Sequence, residues 1–155
     1  MRFSSLLLNP NSGYAGQLNQ VFMNVLSNAM DALDERDAQR SPQEIKENPS
    51  RITICTQLLN PQQVQIRIAD NGRGMTETVR QRLFEPFFTT KSIGKGTGLG
   101  LSISYQVVVE KHGGQLECIS SPGKGAEFLI TLPLVTKVTA SLESGILSTQ
   151  VQLND

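Results

Sequence analysis

The chain has no tryptophan, one histidine and two cysteines in 155 residues, and its 14 basic and 14 acidic residues cancel. Each scarcity excludes something. Without an excess of positive charge there is no electrostatic footprint for nucleic acid, and no acidic run forms a solvating tail. No apolar stretch approaches the ~20 residues that span a bilayer. Residues 1–8 carry one arginine and a run of three leucines, too short for the core of a signal peptide. Two cysteines cannot build a disulfide framework, and the spacing of Cys55 and Cys118 is no metal motif. Both fall in strand-like stretches and are expected to be buried free thiols in a reducing compartment. The expectation is a cytoplasmic chain of one ordinary domain, with no direct membrane contact and no nucleic-acid partner.

What the chain has instead is glycine. Gly94, Gly96, Gly98 and Gly100 fall within KSIGKGTGLGL (91–101), which runs straight into an apolar stretch with helical spacing. Glycine tolerates positive φ and lets backbone N–H groups approach an anion, and the N-terminus of a following helix adds partial positive charge. A polyphosphate suits such a loop. Alone the pattern is equally that of a plain flexible turn.

Around this loop the chain divides into elements. Leu18, Val21, Phe22, Val25, Leu26, Ala29 and Leu33 recur at three and four, predicting an amphipathic helix from Gln17 to about Arg36. Residues 37–50 hold Pro42 and Pro49 among polar residues and read as a loop. Two alternating stretches, 51–58 and 64–70, joined by Asn60-Pro61-Gln62-Gln63, predict a hairpin. Thr76 reads as the cap of a short helix with Glu77 in its first turn. A long helix is expected from Leu99 to Lys111, stopped by His112-Gly113-Gly114. A second hairpin follows, 115–120 and 126–134, turning at Ser121-Pro122-Gly123-Lys124-Gly125. Antiparallel hairpins with helices between them predict an α+β fold, a two-layer α/β sandwich with a mostly antiparallel mixed sheet covered on one face by helices.

Several residues carry candidate chemistry. Asn24, Asn28 and Asp31 share one face of the first helix. Asparagine competes with the backbone for hydrogen bonds, so two on one helix need a reason. That reason is a solvated face, or a hard cation such as Mg²⁺ held by an amide oxygen with phosphate oxygens and water. Asp70-Asn71-Gly72-Arg73-Gly74-Met75 ends a strand. It is either an Asx-type turn or a carboxylate placed to accept the exocyclic amine of adenine beside glycines that admit a flat base. Phe84, Phe87 and Phe88 precede the glycine loop, as core residues or as anchors for a lid. Lys91 and Lys95 flank the loop and are placed to meet terminal phosphates. His112 sits at a helix C-terminus, where a structural role is expected.

In order, the chain carries NQVFMNVLSNAMDAL (19–33), DNGRGM (70–75), FEPFFTTK (84–91), GTGLGLSI (96–103) and PGKGAEF (122–128). These stretches resemble the N, G1, F and G2 boxes and the terminal glycine turn of the catalytic, ATP-binding domain of sensor histidine kinases. The FEPFFTTK form is similar to the nitrogen-sensor branch. The resemblance spans about residues 14–134, leaving 1–13 as a leader or edge segment and 135–155 as a tail. It implies the Bergerat ATP-binding fold shared with gyrase, MutL and the Hsp90 chaperone, with ATP and Mg²⁺ as cofactors. It further implies that Asn28 binds Mg²⁺, that Asp70 holds the adenine amine, and that Gly72 and Gly74 line the base. Gly96, Gly98 and Gly100 would wrap the phosphates as a lid anchored by Phe84 and Phe87. Asn24 would stand near the γ-phosphate or the metal, and Lys91 is the candidate for γ-phosphate contact. Asp31, Met75, Thr90, Lys95, Thr97, Leu99 and Leu101 complete the implied nucleotide set.

Three departures sharpen the expectation. Related ATPases carry a glutamate where this chain has Asn24, and an amide cannot serve as a general base; net hydrolysis should be poor, as suits transfer to a protein acceptor. Many family members carry Lys or His where this chain has Asp31, and an aromatic where it has Ala32. No stretch resembles the family's acceptor histidine motif, so a separate histidine-containing dimerisation domain and a response regulator are the implied partners, and the isolated domain is expected to be a monomer. The alternatives are a non-enzymatic ATP-binding switch of the same fold or a serine kinase of the anti-sigma type.

Overall fold

The computed structural model describes residues 14–92 and 96–134. The expected leader (1–13), the tail (135–155) and the loop residues Ile93, Gly94 and Lys95 lie outside them.

The first helix, α1 (Tyr14–Asp37), forms where the apolar period predicts it. Leu18, Val21, Val25, Ala29 and Leu33 of its stripe are buried. The proline-bearing stretch 37–50 is not simply a loop, because Pro42–Glu47 forms a short helix, α2. Ser41 caps it by accepting the Glu44 N–H at 3.3 Å, while the Glu44 carboxylate accepts the Ser41 N–H at 2.7 Å. This reciprocal box, with proline at the first helical position where its missing N–H costs nothing, starts a helix rather than breaking one.

Strands β1 (Ile52–Asn60) and β2 (Gln63–Asp70) form the first hairpin, and β3 (Gln115–Ser120) and β4 (Ala126–Pro133) the second. Between them lie α3 (Glu77–Arg82), capped by Thr76 as expected, and α4 (Gly100–Tyr105). The sheet order is β1-β2-β4-β3, and every described strand pair is antiparallel. The two hairpins therefore join through β2 and β4. Val64, Ile66 and Ile68 of β2, Phe128, Ile130 and Leu132 of β4, and Leu116 and Cys118 of β3 form one core with α1 and with Val107 and Val108. This is the expected two-layer arrangement.

Two expectations are corrected. Cys118 is buried, and burial pushes its thiol up to about 12, but Cys55 is exposed. It lies on β1, which has a sheet partner on one side only among the described strands and is exposed along almost its whole length. Alternation reveals a strand but not its place in the sheet. The helix expected over Leu99–Lys111 is α-helical only to Tyr105, and Gln106–Lys111 is a π-helical segment. Two successive residues of that segment, Val107 and Val108, are both buried in the core. Gly113, at φ 63°, then closes the helix as expected, with the Gly114 N–H donating to Val108 O at 2.8 Å.

Candidate functional site

One cleft of about 510 Å³ opens between α1, the turn after β2, α3 and the glycine segment, with Ala126 and Phe128 of β4 among its lining. Asn24, Asn28 and Asp31 reach it from α1, and Asp70, Gly74 and Met75 from the DNGRGM turn. Thr90, Lys91, Gly96, Thr97, Gly98, Gly100 and Leu101 face them from the opposite wall. Motifs scattered over about half the chain thus meet in one place.

The two α1 asparagines hold their amides in a defined sense. Asn24 Nδ2 donates to Gly100 O at 2.9 Å and to Ser104 Oγ at 3.1 Å, tying α1 to the first turn of α4. Asn28 Nδ2 donates to the backbone oxygen of Asn24 at 2.9 Å. Both nitrogens are engaged, so the amide oxygens are the atoms these side chains have for a ligand, and oxygen is what a hard cation takes.

The DNGRGM turn is braced from the far hairpin. Met75 N–H donates to Ser120 Oγ at 2.9 Å, Ser120 Oγ donates to Gly125 O at 2.7 Å, and Gly123 N–H donates to Arg73 O at 2.6 Å. Gly74 sits at φ 70°, and a Cβ there would lie 2.0 Å from Ser121 O. The PGKG turn is therefore a buttress for the pocket wall.

Among the described residues, three carboxylates and two cations line the cleft. Asp31 pairs with Lys91, and Glu35 pairs with Arg73 at 2.7 Å. Asp70 has no cation partner among the described residues. Its Oδ1 accepts the Gly72 N–H at 2.8 Å. Burial pushes the Asp70 carboxyl above its ordinary value, against the backbone N–H bonds from Gly72 and Ala126 that hold it down. A half-buried carboxylate with spare acceptor capacity suits a flat ligand that offers an amine.

Four expected residues do not line the cleft: Gly72, Phe84, Phe87 and Leu99. A Cβ on Gly72 would come within 2.8 Å of Asp70 Oδ1 and 2.9 Å of the Ala32 Cβ, so its smallness serves the fit of the turn against α1. Phe84 packs on Tyr105 with ring centroids 5.5 Å apart. Phe87 is 74% exposed, while its backbone meets the glycine segment: its N–H donates to Gly98 O at 2.8 Å. Of the three phenylalanines in the FEPFFTTK stretch, Phe88 is the one that lines the cleft, with the Arg82 guanidinium 4.5 Å over its ring. Lys95 lies outside the described residues. His112 does not line the cleft, and its Nδ1 stands 2.7 Å from Val107 O, within the helix end.

Other lining residues went unread. Ser27 and Glu35 continue the helical face of Asn24, Asn28 and Asp31, so the same spacing would have found them, while Ala32 stands where the family resemblance already marked a departure. Arg73 stood inside a motif already singled out. Val79 and Leu83 enter only through tertiary packing, which no local pattern announces, while Ala126 and Phe128 stood, like Arg73, inside a motif already singled out.

Comparison with known proteins agrees with this geometry. The family model described as histidine kinase-, DNA gyrase B-, and HSP90-like ATPase matches residues 13–136. The two-component sensor PprA of Pseudomonas aeruginosa is 41% identical over 128 residues, covering 83% of this chain and 13% of PprA. The chain thus spans a small part of that relative. Among solved structures, the mycobacterial sensor histidine kinase MprB aligns at a TM-score of 0.58 and 31% identity, over 77% of this chain and 72% of that one. Full-length ShkA in complex with AMPPNP aligns at a TM-score of 0.61 and 26% identity, over 77% of this chain and 22% of that one. Among the described residues no helix is long and apolar enough to cross a membrane. The chain belongs to the histidine kinase-, DNA gyrase B- and HSP90-like ATPase family, and within it is an ATP-binding catalytic domain of the sensor histidine kinase kind.

Proposed function

We propose that this domain positions Mg-ATP for transfer of the γ-phosphoryl group to a histidine on a separate dimerisation domain, from which a response regulator draws it. The observation that carries this reading is the cleft's polarity. Asp70, a carboxylate without a cation partner among the described residues, lies with Ala32 against Gly72, two turns along α1 from Asn24, whose amide is tied to Gly100 of the glycine segment. That is the order of adenine, ribose and triphosphate. AMPPNP bound to ShkA supports a nucleoside triphosphate as the guest.

Asp70 accepts the adenine N6 amine, with Gly74 and Met75 beside the base. Gly96, Thr97, Gly98 and Gly100 offer backbone to the phosphates, Leu101 follows in α4, and Lys91 and Lys95 bring positive charge. Mg²⁺, held by Asn28 Oδ1 with phosphate oxygens and water, would neutralise charge on the transferred group. Asn24 bridges α1 to the lid and cannot take a proton, so it orders the site without activating water. The chain's own contribution is position and charge stabilisation.

The test has two stages. Calorimetric titration with AMPPNP, with and without Mg²⁺, should show micromolar binding that weakens without the metal. Addition of a histidine-bearing dimerisation domain in trans with γ-labelled ATP should then give acid-labile phosphohistidine. Nucleotide binding with no phosphohistidine on any cognate acceptor would reassign the domain as an ATP-dependent switch.

A further inference from the structure

We infer that Asp31 is the resting partner of Lys91 and sets how strongly the cleft prefers a nucleoside triphosphate to a diphosphate. The inference rests on the reading of Lys91 as a γ-phosphate contact. Lys91 Nζ is paired with Asp31 Oδ2 across 60 positions of sequence, and both side chains line the cleft. The lysine comes from the wall that carries the lid, where its own N–H donates to Thr89 Oγ1 at 3.1 Å. The aspartate comes from α1, three residues beyond Asn28, at the end assigned to the phosphates. Among the described residues, Lys91 is the cation that lines this end, because Arg73 is paired with Glu35 beside the base-binding turn. One ammonium therefore has two claimants, the Asp31 carboxylate and the third phosphate of the ligand.

The consequence is selective. A triphosphate engages Lys91 only by displacing Asp31, whereas a diphosphate does not reach the pair and leaves it intact. Asp31 therefore weakens binding of the triphosphate alone, and it retakes Lys91 once the third phosphate has gone. The side chains are 25% and 43% exposed, so water can receive either charge during the exchange. Asp31 acts through Lys91 and is a positioning residue.

The experiment is a set of calorimetric titrations of the full chain with AMPPNP and ADP, with Mg²⁺, for wild type, Asp31→Asn, Lys91→Met and the double variant. Asp31→Asn should tighten AMPPNP by roughly two- to five-fold, the range an exposed ion pair spans, and leave ADP unchanged. ADP binding also reports that the variant is folded. The gain should vanish in the Lys91→Met background. Tightening of both nucleotides alike, or a gain that persists without Lys91, would mean that Asp31 acts through its charge alone and would overturn the inference. Weaker Mg-AMPPNP binding in Asp31→Asn would overturn it too, by moving Asp31 to the metal. If Lys91→Met alone leaves AMPPNP affinity unchanged, the failure lies earlier, in the reading of Lys91 as a phosphate contact.

Discussion

Phe87 and Gly98 hold each other across the glycine loop. The Phe87 N–H donates to the Gly98 carbonyl at 2.8 Å, and both residues sit in left-handed backbone, at φ 65° and 66°. Phenylalanine rarely adopts that conformation, and here the fold imposes it at the point where the F box meets the glycine loop. A Cβ on Gly98 would stand 2.5 Å from the Phe87 carbonyl carbon. Gly98→Ala should therefore displace the lid at its base. Backbone strain alone is about 1–2 kcal/mol, and the clash adds to it. The expected outcome is at least a ten-fold loss of AMPPNP affinity with ADP less affected, read by titration; equal affinity for AMPPNP would detach the lid from the phosphates.

Asp70 gives the site a pH dependence with two opposed limbs. Its carboxyl is raised by burial, so the ligand-free fold favours the protonated form. That stabilisation is complete below the ordinary aspartate value and is lost as pH rises through the raised one. Nucleotide binding runs the other way, because the adenine amine needs an ionised acceptor. ATP affinity should fall as pH drops from neutral through the raised value, and the fall should begin at a higher pH than an ordinary aspartate would give. Asp70→Asn should lose about 1–3 kcal/mol of binding and flatten that limb. Titrations over the neutral to mildly acid range check both effects, and a steep limb surviving in the variant would assign the titration to another group.

Asn28→Ala tests the metal. Its amide nitrogen is held by the Asn24 backbone oxygen, which leaves the amide oxygen for Mg²⁺. AMPPNP binding without Mg²⁺ should change little, while the tightening that Mg²⁺ gives to wild type should disappear. A normal metal response in the variant would place the cation elsewhere.

Ser120 is a stability test outside the cleft. It accepts the Met75 N–H and donates to Gly125 O, so Ser120→Ala leaves two part-buried backbone groups without their partner. The expected loss is about 1–3 kcal/mol, or roughly 2–4 °C in Tm per kcal/mol for a domain of this size. Thermal unfolding measures it. Saturating nucleotide should recover part of the difference, because the same turn presents Asp70 to the base.

Periodicity and punctuation were enough for α1, both hairpins and the Thr76 cap, because each is encoded within a window of ten or twenty residues. The capping box at Ser41 and Glu44 was equally local, yet Pro42 read as a breaker where it was a helix start. Cys55 and the π-helical segment were not local matters. The exposure of Cys55 follows from β1 having a sheet partner on one side only among the described strands, and no local pattern marks where the helix widens at Gln106. In the site, the α1 face and the glycine motifs were legible because spacing on one element places them. Val79 and Leu83 were not, since their place in the cleft follows from how α3 packs. The exchange of roles between Phe87 and Phe88 turns on a single left-handed residue.

The brace between the DNGRGM turn and the PGKG turn has a kinetic consequence. The wall that presents Asp70 is held by residues about fifty positions later, so the binding wall is complete only once the last hairpin has joined the sheet. Closing so long a loop is slow compared with local helix formation. On the ribosome, a nascent chain lacking β4 would have α1 and the glycine segment in hand and still lack the braced wall. Nucleotide capture is then a late checkpoint of folding. Once the domain is assembled, a nucleotide present at a hundred times its Kd would add about 2.7 kcal/mol to the folded state, so occupancy of the cleft opposes reopening of the sheet.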